Sequence, residues 1–189
     1  MKPFNNMALK EWAIVVKALD EGKQVVLFRK GGVREEQGEF VVEHNEFFLY
    51  PTYEHQMKSL LRPQFHEDYF KVSEAEPKDR TLPLQNYAFV ETIIQPKDIE
   101  KLYDLQDEYI WNSTYVKNRI NYKKQWPLHV LLLRVFRLPE QTTIKVTEHY
   151  DGCKSWVDLD IELATEGCQP VLKDEEFFEM VERIKRFLL

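Results

Sequence analysis

Apolar and polar positions alternate with several different periods along this chain, and each change of period marks an element. Leu9, Trp12, Val16 and Leu19 recur at helical spacing, with Asn6 ahead of them and Gly22 behind. That predicts a helix over about 7–21, capped by Asn6 and stopped by Gly22. The branched residues from Ala13 to Leu19 also fit a hairpin turning at Asp20 to Lys23. Gln24 to Arg29 reads as a short strand broken by Gly31-Gly32, and 38–43 and 45–50 read as extended. Pro51 ends the second of these, and Thr52 is placed to cap a short helix from Tyr53 to Leu61, closed by Pro63.

Beyond a charged, proline-bearing stretch (SEAEPKDRTLP, 73–83), Leu84 to Gln95 is a strand stopped by Pro96. A helix over about 97–106 follows, with Asp98 and Glu100 in its first turn. A second helix is capped by Asn112 or Ser113 and runs to about Tyr122. Leu128 to Leu138 is almost continuously apolar and predicts a central buried strand. Arg134 lies inside that run, and if buried it requires a carboxylate partner. Thr142 to His149 and Ser155 to Ala164 read as an antiparallel pair about Tyr150-Asp151-Gly152. In the final helix, Lys173 to Leu189, Phe177, Val181, Ile184 and Leu188 form one stripe, with acids at its start and bases near its end.

The order of elements implies an α+β fold: a mixed or antiparallel sheet with flanking helices, in two lobes that share a core. The lobes expected are 1–72 and 84–189, with 73–83 as a surface linker, or else one single domain overall. The 189 residues suffice for one well-buried domain, and 43% hydrophobic residues exclude a disordered chain.

Net charge is −6, so a polyanion partner requires a local basic patch against an acidic background. Cys153 and Cys168 are the two cysteines; their spacing excludes a thiolate zinc site, and reduced thiols are expected. The start of the chain lacks a signal-peptide pattern and no apolar run approaches a membrane span, so a cytoplasmic location is expected, with no membrane partner.

Three groups of residues could carry chemistry. Gly31 and Gly32 let backbone amides approach a ligand closely, and with Arg29, Lys30 and Arg34 they form a candidate anion-binding turn. The competing reading is an ordinary Gly-Gly turn with solvated flanks. The pairs Glu43-His44 and Glu54-His55 are candidates for acid–base work on an anionic substrate. Adjacent strand residues point to opposite faces, however, and structural histidines are the alternative. His44, His55 and His66 repeat at eleven-residue spacing, but Pro51 and Pro63 break any single helix that would align them.

The third group runs from Tyr109 to Trp126. Lys117, Arg119, Lys123 and Lys124 lie there with Trp111, Tyr115, Tyr122 and Trp126, and no acidic residue interrupts them. Cations neutralise phosphates and exposed aromatics stack on unpaired bases, so this is a candidate nucleic-acid surface. The alternative is a helix whose aromatics face the core.

Other motifs exclude more than they propose. No GxxxxGK[ST] loop is present, no cofactor-binding pattern is recognised, and no metal site is expected. Asp158, Asp160 and Glu162 alternate on one strand face, the ordinary pattern of a half-exposed strand. In HYDGCKSW, His149 and Asp151 precede Cys153 closely enough to suggest an activated thiolate, on sequence proximity alone.

The strings RKGGVREE and FVVEHNEFFLYPTYEHQ carry a resemblance, with ALKEWAIVVKALDEGKQVVLFRKGG, HVLLLRVFRLP and YDGCKSWVDL. Together they resemble a bacterial family of uncharacterised proteins, domain-of-unknown-function family 1802, over about Ala8 to Leu159. That family has no assigned activity. Some members are joined to or lie beside restriction-endonuclease-type domains, so the resemblance implies a link to restriction-modification or nucleic-acid processing and a nuclease-type partner protein. The restriction-endonuclease fold wants an acidic-x-Lys strand, which DLDIEL does not supply, so no nuclease centre is expected in this chain. The shorter segment ALDEGKQVVLFRKGG resembles small barrel domains, of the pseudouridine-synthase-associated type, that bind modified bases or RNA.

The leading expectation is a non-catalytic module that binds DNA or RNA or serves a processing system. The alternatives are an enzyme acting on an anionic substrate through the Glu-His pairs and the glycine turn, and a protein-interaction adaptor.

Overall fold

Ala8 and Leu9 are sequence neighbours and both are wholly buried, which suits an extended chain with a core on each face better than a surface helix. In the computed structural model they lie in β1 (Phe4–Trp12), and only Ala13–Asp20 is helical (α1). The expected helix over 7–21 is therefore corrected in its first half. Its apolar spacing fits a helix locally, but pairing with strands far away in sequence decides the matter. The structure describes residues 1–31, 33–36, 39–152 and 154–189, and of 33–36 and 39–41 the backbone alone.

After α1 come β2 (Val26–Lys30), a two-stranded ribbon of β3 (Val33–Glu36) and β4 (Glu39–Val42), and β5 (Glu46–Thr52). α2 (His66–Glu74) precedes β6 (Thr81–Ile94), and α3 (Ser113–Asn121) precedes β7 (Leu128–Lys145). β8 (Trp156–Ala164), β9 (Gln169–Pro170) and α4 (Asp174–Leu188) complete the order. The main sheet runs β2-β7-β6-β5-β1-β8, with β9 also paired to β7. Every neighbouring pair is antiparallel except β1 and β5. The fold is thus α+β with a mixed sheet. Strands from 1–72 and from 84–189 are interleaved in it, and residues 75–80 join α2 to β6.

Period-two alternation in β1, β5 and β6 feeds two cores. Leu9, Phe47, Leu49 and Ala88 join the larger one, with Leu19, Val116, Phe177 and Val181 of the helices. Ala8, Phe48, Tyr50 and Tyr87 join the smaller one, with Leu138, Tyr150, Val157 and Leu159.

Two further expectations are corrected. Pro51 and Thr52 remain in β5, beside Glu11 and Trp12 of β1, and Tyr53 to Leu61 holds only a short 3-10 turn at Lys58–Leu60. Gln56 is fixed there from three sides: its Oε1 accepts from the Ile14 amide, its Nε2 donates to Ser73 Oγ, and its carbonyl accepts from Tyr69 Oη. Likewise 97–106 forms only short 3-10 turns rather than a helix.

Thr142 to His149 does not pair with Ser155 to Ala164. β7 runs on to Lys145 against the start of β6, leaving β8 to pair with β1. Arg134 in β7 is buried, and the carboxylate that burial requires is present. It is paired with Asp174 at the start of α4, with its guanidinium carbon 4.5 Å from the Phe177 ring centroid.

Candidate functional site

β1 and β5 run parallel and end together, so Lys10, Glu11 and Trp12 emerge beside Thr52. The chain after β5 turns at Glu54 and His55, and His55 adopts φ 62, a left-handed conformation that costs a non-glycine residue energy. Arg29 of β2, Tyr115 and Arg119 of α3, and Lys154 after the 148–152 turn close the other sides. Together these segments enclose an open cleft of about 300 Å³.

α3 is set by its cap. The Asn112 side chain accepts from the Tyr115 amide and donates to the carbonyls of Ser59 and Leu61. Tyr115 then stacks on the buried Trp111 with centroids 4.5 Å apart and 4° between planes, and meets Trp12 edge-on. One turn on, Arg119 donates through Nε and Nη2 to the Phe28 carbonyl at 3.2 and 2.9 Å. The helix is thereby tied to β2, next to Arg29.

The electrostatics of the cleft follow from burial. Burial pulls the Arg29 guanidinium below its ordinary value; Glu11 opposes this and Arg119 adds to it. Burial pushes the Tyr115 hydroxyl well above the ordinary phenol range, with Glu11 adding to this and the two arginines opposing it. It remains a donor at neutral pH. Among the described residues Arg29 makes no hydrogen bond or ion pair, although a second guanidinium faces it. Lys10 Nζ donates to the carbonyls of Tyr150 and Gly152, and Lys154 Nζ to that of His149 at 2.8 Å. Four cations therefore converge on one cleft in a chain of net charge −6, against the carboxylates Glu11 and Glu54.

The structure sorts the residues singled out in the sequence. Arg29, Glu54, His55 and Arg119 meet in the cleft, with Tyr115. Glu43 and His44 do not. Glu43 is exposed, and the His44 ring packs edge-on against Trp156 with centroids 5.0 Å apart. Lys30 donates to the Ile120 carbonyl at 2.7 Å. Gly31 has φ +82, and a Cβ built there would stand 2.4 Å from the Trp126 ring, so only glycine lets that ring lie down. Gly32, the side chain of Arg34 and Cys153 fall outside the described residues. His66 points its Nε2 at the Leu61 carbonyl, apart from the other histidines.

Trp111 is fully buried and presents no surface to a base. Trp126 and Tyr122 are exposed, and Lys123 sits 4.3 Å over the Trp126 ring, itself at φ 42. Lys117 and Lys124 are exposed. Tyr115, Arg119 and Tyr122 follow at i, i+4 and i+7 along α3 and its cap, so this stripe leads from the cleft towards Trp126. Among the described residues no three of His, Cys, Asp and Glu come together as a metal site. Asp158 and Asp160 are engaged separately, by Asn6 Nδ2 at 2.6 Å and Thr147 Oγ1 at 3.2 Å. No described helix is long and apolar enough to cross a membrane.

Sequence reasoning did not place Lys10, Glu11, Trp12 or Lys154 in a site. The first three fall inside the helical period expected over 7–21, and no local pattern in the sequence separates them from it.

A family model described as domain of unknown function (DUF1802) matches residues 8–183. No curated protein sequence matches the chain. Among solved structures, that of ASCH from Zymomonas mobilis is 16% identical over 93% of each chain, with a TM-score of 0.43. A mutant of the same protein is 13% identical, covering 93% of this chain and 96% of its own, with a TM-score of 0.46.

Proposed function

The chain belongs to the DUF1802 family, and from that premise we propose that it is a nucleic-acid-binding module. Its cationic cleft would hold the phosphates of a single strand, while Tyr122 and Trp126 stack on the neighbouring bases. The observation that carries this reading is Arg29: a half-buried guanidinium, faced by Arg119, that feels the Glu11 carboxylate but makes no hydrogen bond or ion pair among the described residues. Such a charge is costly to bury without hydrogen bonds, and a phosphate would accept from the Arg29 fork and from the Arg119 nitrogen not used on the Phe28 carbonyl. The exposed aromatics with Lys123 supply a sequence-tolerant stacking platform. As an accessory in restriction-modification or nucleic-acid processing, the module would present a strand to a partner enzyme.

Titration of labelled single- and double-stranded DNA and RNA against the full chain, at several salt concentrations, tests this. Single strands should bind with an affinity that falls as salt rises. No binding at low salt by folded protein would rule the reading out.

A second reading rests on His55, held at φ 62 in the same cleft as Glu54 and Arg29: acid–base chemistry on an anionic substrate. It requires turnover of a phosphodiester or phosphomonoester that is lost in His55→Ala while strand binding survives. Intact substrate after prolonged incubation with wild-type protein removes it.

A further inference from the structure

Lys10, Thr52 and Glu54 wall the cationic cleft on one side and, on the other, a second recess of about 190 Å³. The character of this recess differs from that of the cleft. Its walls include the rings of Tyr50, Tyr53 and Tyr150; Tyr50 and Tyr150 are 5% and 2% exposed and meet edge to face at 6.3 Å. The Tyr150 hydroxyl accepts from the Asp160 amide at 2.7 Å, which fixes that ring.

At the rim, Arg80 forks onto both oxygens of Asp151 at 3.2 and 3.1 Å and donates to the Val146 carbonyl. Arg80 does so from a left-handed backbone, φ 53. Asp151 is thereby neutralised, whereas Glu54 and Glu76 have no ion-pair partner among the described residues. Glu76 lies close enough to Tyr53 to reinforce the upward push that burial gives its hydroxyl. The recess therefore sets the half-exposed Tyr53 ring, backed by the buried Tyr50 and Tyr150, beside two exposed, acceptor-only carboxylates, next to the cationic cleft.

We propose that this recess takes the base of an unstacked nucleotide whose phosphate lies in the cationic cleft, and that it favours bases carrying an exocyclic amino group. Adenine, cytosine and guanine offer N–H₂ donors to Glu54 and Glu76. Uracil and thymine offer one N–H between two carbonyls that the carboxylates repel. The inference rests on the phosphate reading of the cleft and adds to it a base subsite with a stated preference.

The test is a titration of the full chain, followed by heteronuclear NMR, with inorganic phosphate, AMP, CMP and UMP. AMP and CMP should bind about ten-fold more tightly than phosphate, within the range of base–aromatic stacking, and more tightly than UMP. Tyr53→Ala should bring the nucleotides down to the affinity of phosphate and leave phosphate itself unchanged. Tyr53→Phe, which keeps the ring, should retain the gain, and Glu76→Gln should remove the difference between CMP and UMP.

Nucleotides that bind no better than phosphate, or a Tyr53→Ala variant that binds them as wild type does, would overturn the base subsite and leave the phosphate cleft standing. Absence of both phosphate and nucleotide binding in folded protein would overturn the cleft reading as well.

Discussion

Arg29 ties stability and binding together in a way that a substitution can separate. A half-buried charge with no hydrogen bond or ion pair costs folding energy, so an apolar side chain of similar length relieves that cost. Arg29→Met should raise stability by about 1 kcal/mol while weakening single-strand binding about ten-fold or more. Denaturant melts and binding isotherms on the same sample check both halves; a less stable variant would make Arg29 a structural residue. Gly31 makes the opposite demand. An alanine there has to hold φ +82 and to displace the Trp126 ring, so Gly31→Ala should cost about 1–2 kcal/mol. It should also shift tryptophan emission to longer wavelength as Trp126 is pushed into solvent.

Among the elements, α4 shows how a buried charge is managed. Its first turn supplies Asp174, 81% exposed, to the 7% exposed side chain of Arg134, and further along Arg183 forks onto the buried Glu108. The cost of breaking the first pair should be asymmetric. Asp174→Ala leaves Arg134 buried and unpaired and should cost about 2 kcal/mol, whereas Arg134→Met leaves only a solvated acid and should cost less than 1 kcal/mol. Equal losses in chemical denaturation would contradict this.

Elements whose signal is local were legible in the sequence. α4 shows an unbroken apolar stripe with charges ordered for the helix dipole, β2 lies between Gly22 and Gly31, and β6 ends before Pro96 although it begins at Thr81 and runs through Pro83. For Arg134 the need for a carboxylate if buried was legible, though not that Asp174 would meet it. β1 was not legible, because Leu9, Trp12, Val16 and Leu19 satisfy a helical period by themselves. What makes Phe4 to Trp12 extended is pairing with β5 some forty residues on and β8 about 150 on. The same non-locality hid half of the cleft. Arg29 and Arg119 stood out as basic residues in marked motifs, but Lys10, Glu11 and Lys154 acquire meaning only once β1 and Lys154 are brought beside them.

For the molecule as a whole, several buried phenols set an alkaline limit. Tyr50 is pushed up to about 12 by burial and then by Asp151, and burial also raises Tyr87, Tyr109 and Tyr115. In the unfolded chain these groups ionise near pH 10. The stability they confer is therefore complete below pH 10 and lost as pH climbs from about 10 towards 12. Thermal melts between pH 8 and 11.5 should show a steep fall over the upper part of that range, with tyrosinate absorbance appearing as the protein unfolds; a flat profile would contradict it.

The placement of four cations in one cleft of an acidic chain leads to a sharper test, the salt dependence of single-strand affinity in wild type and in an Arg29→Gln, Arg119→Gln double variant. Each phosphate contact on a single strand contributes about 0.7 to the slope of log K against log salt. The wild type should bind with a clear negative slope, and the double variant should bind at least about a hundred-fold more weakly, with the slope reduced by about 1.4. A double variant that matches wild type in affinity and slope would show that nucleic acid does not enter this cleft.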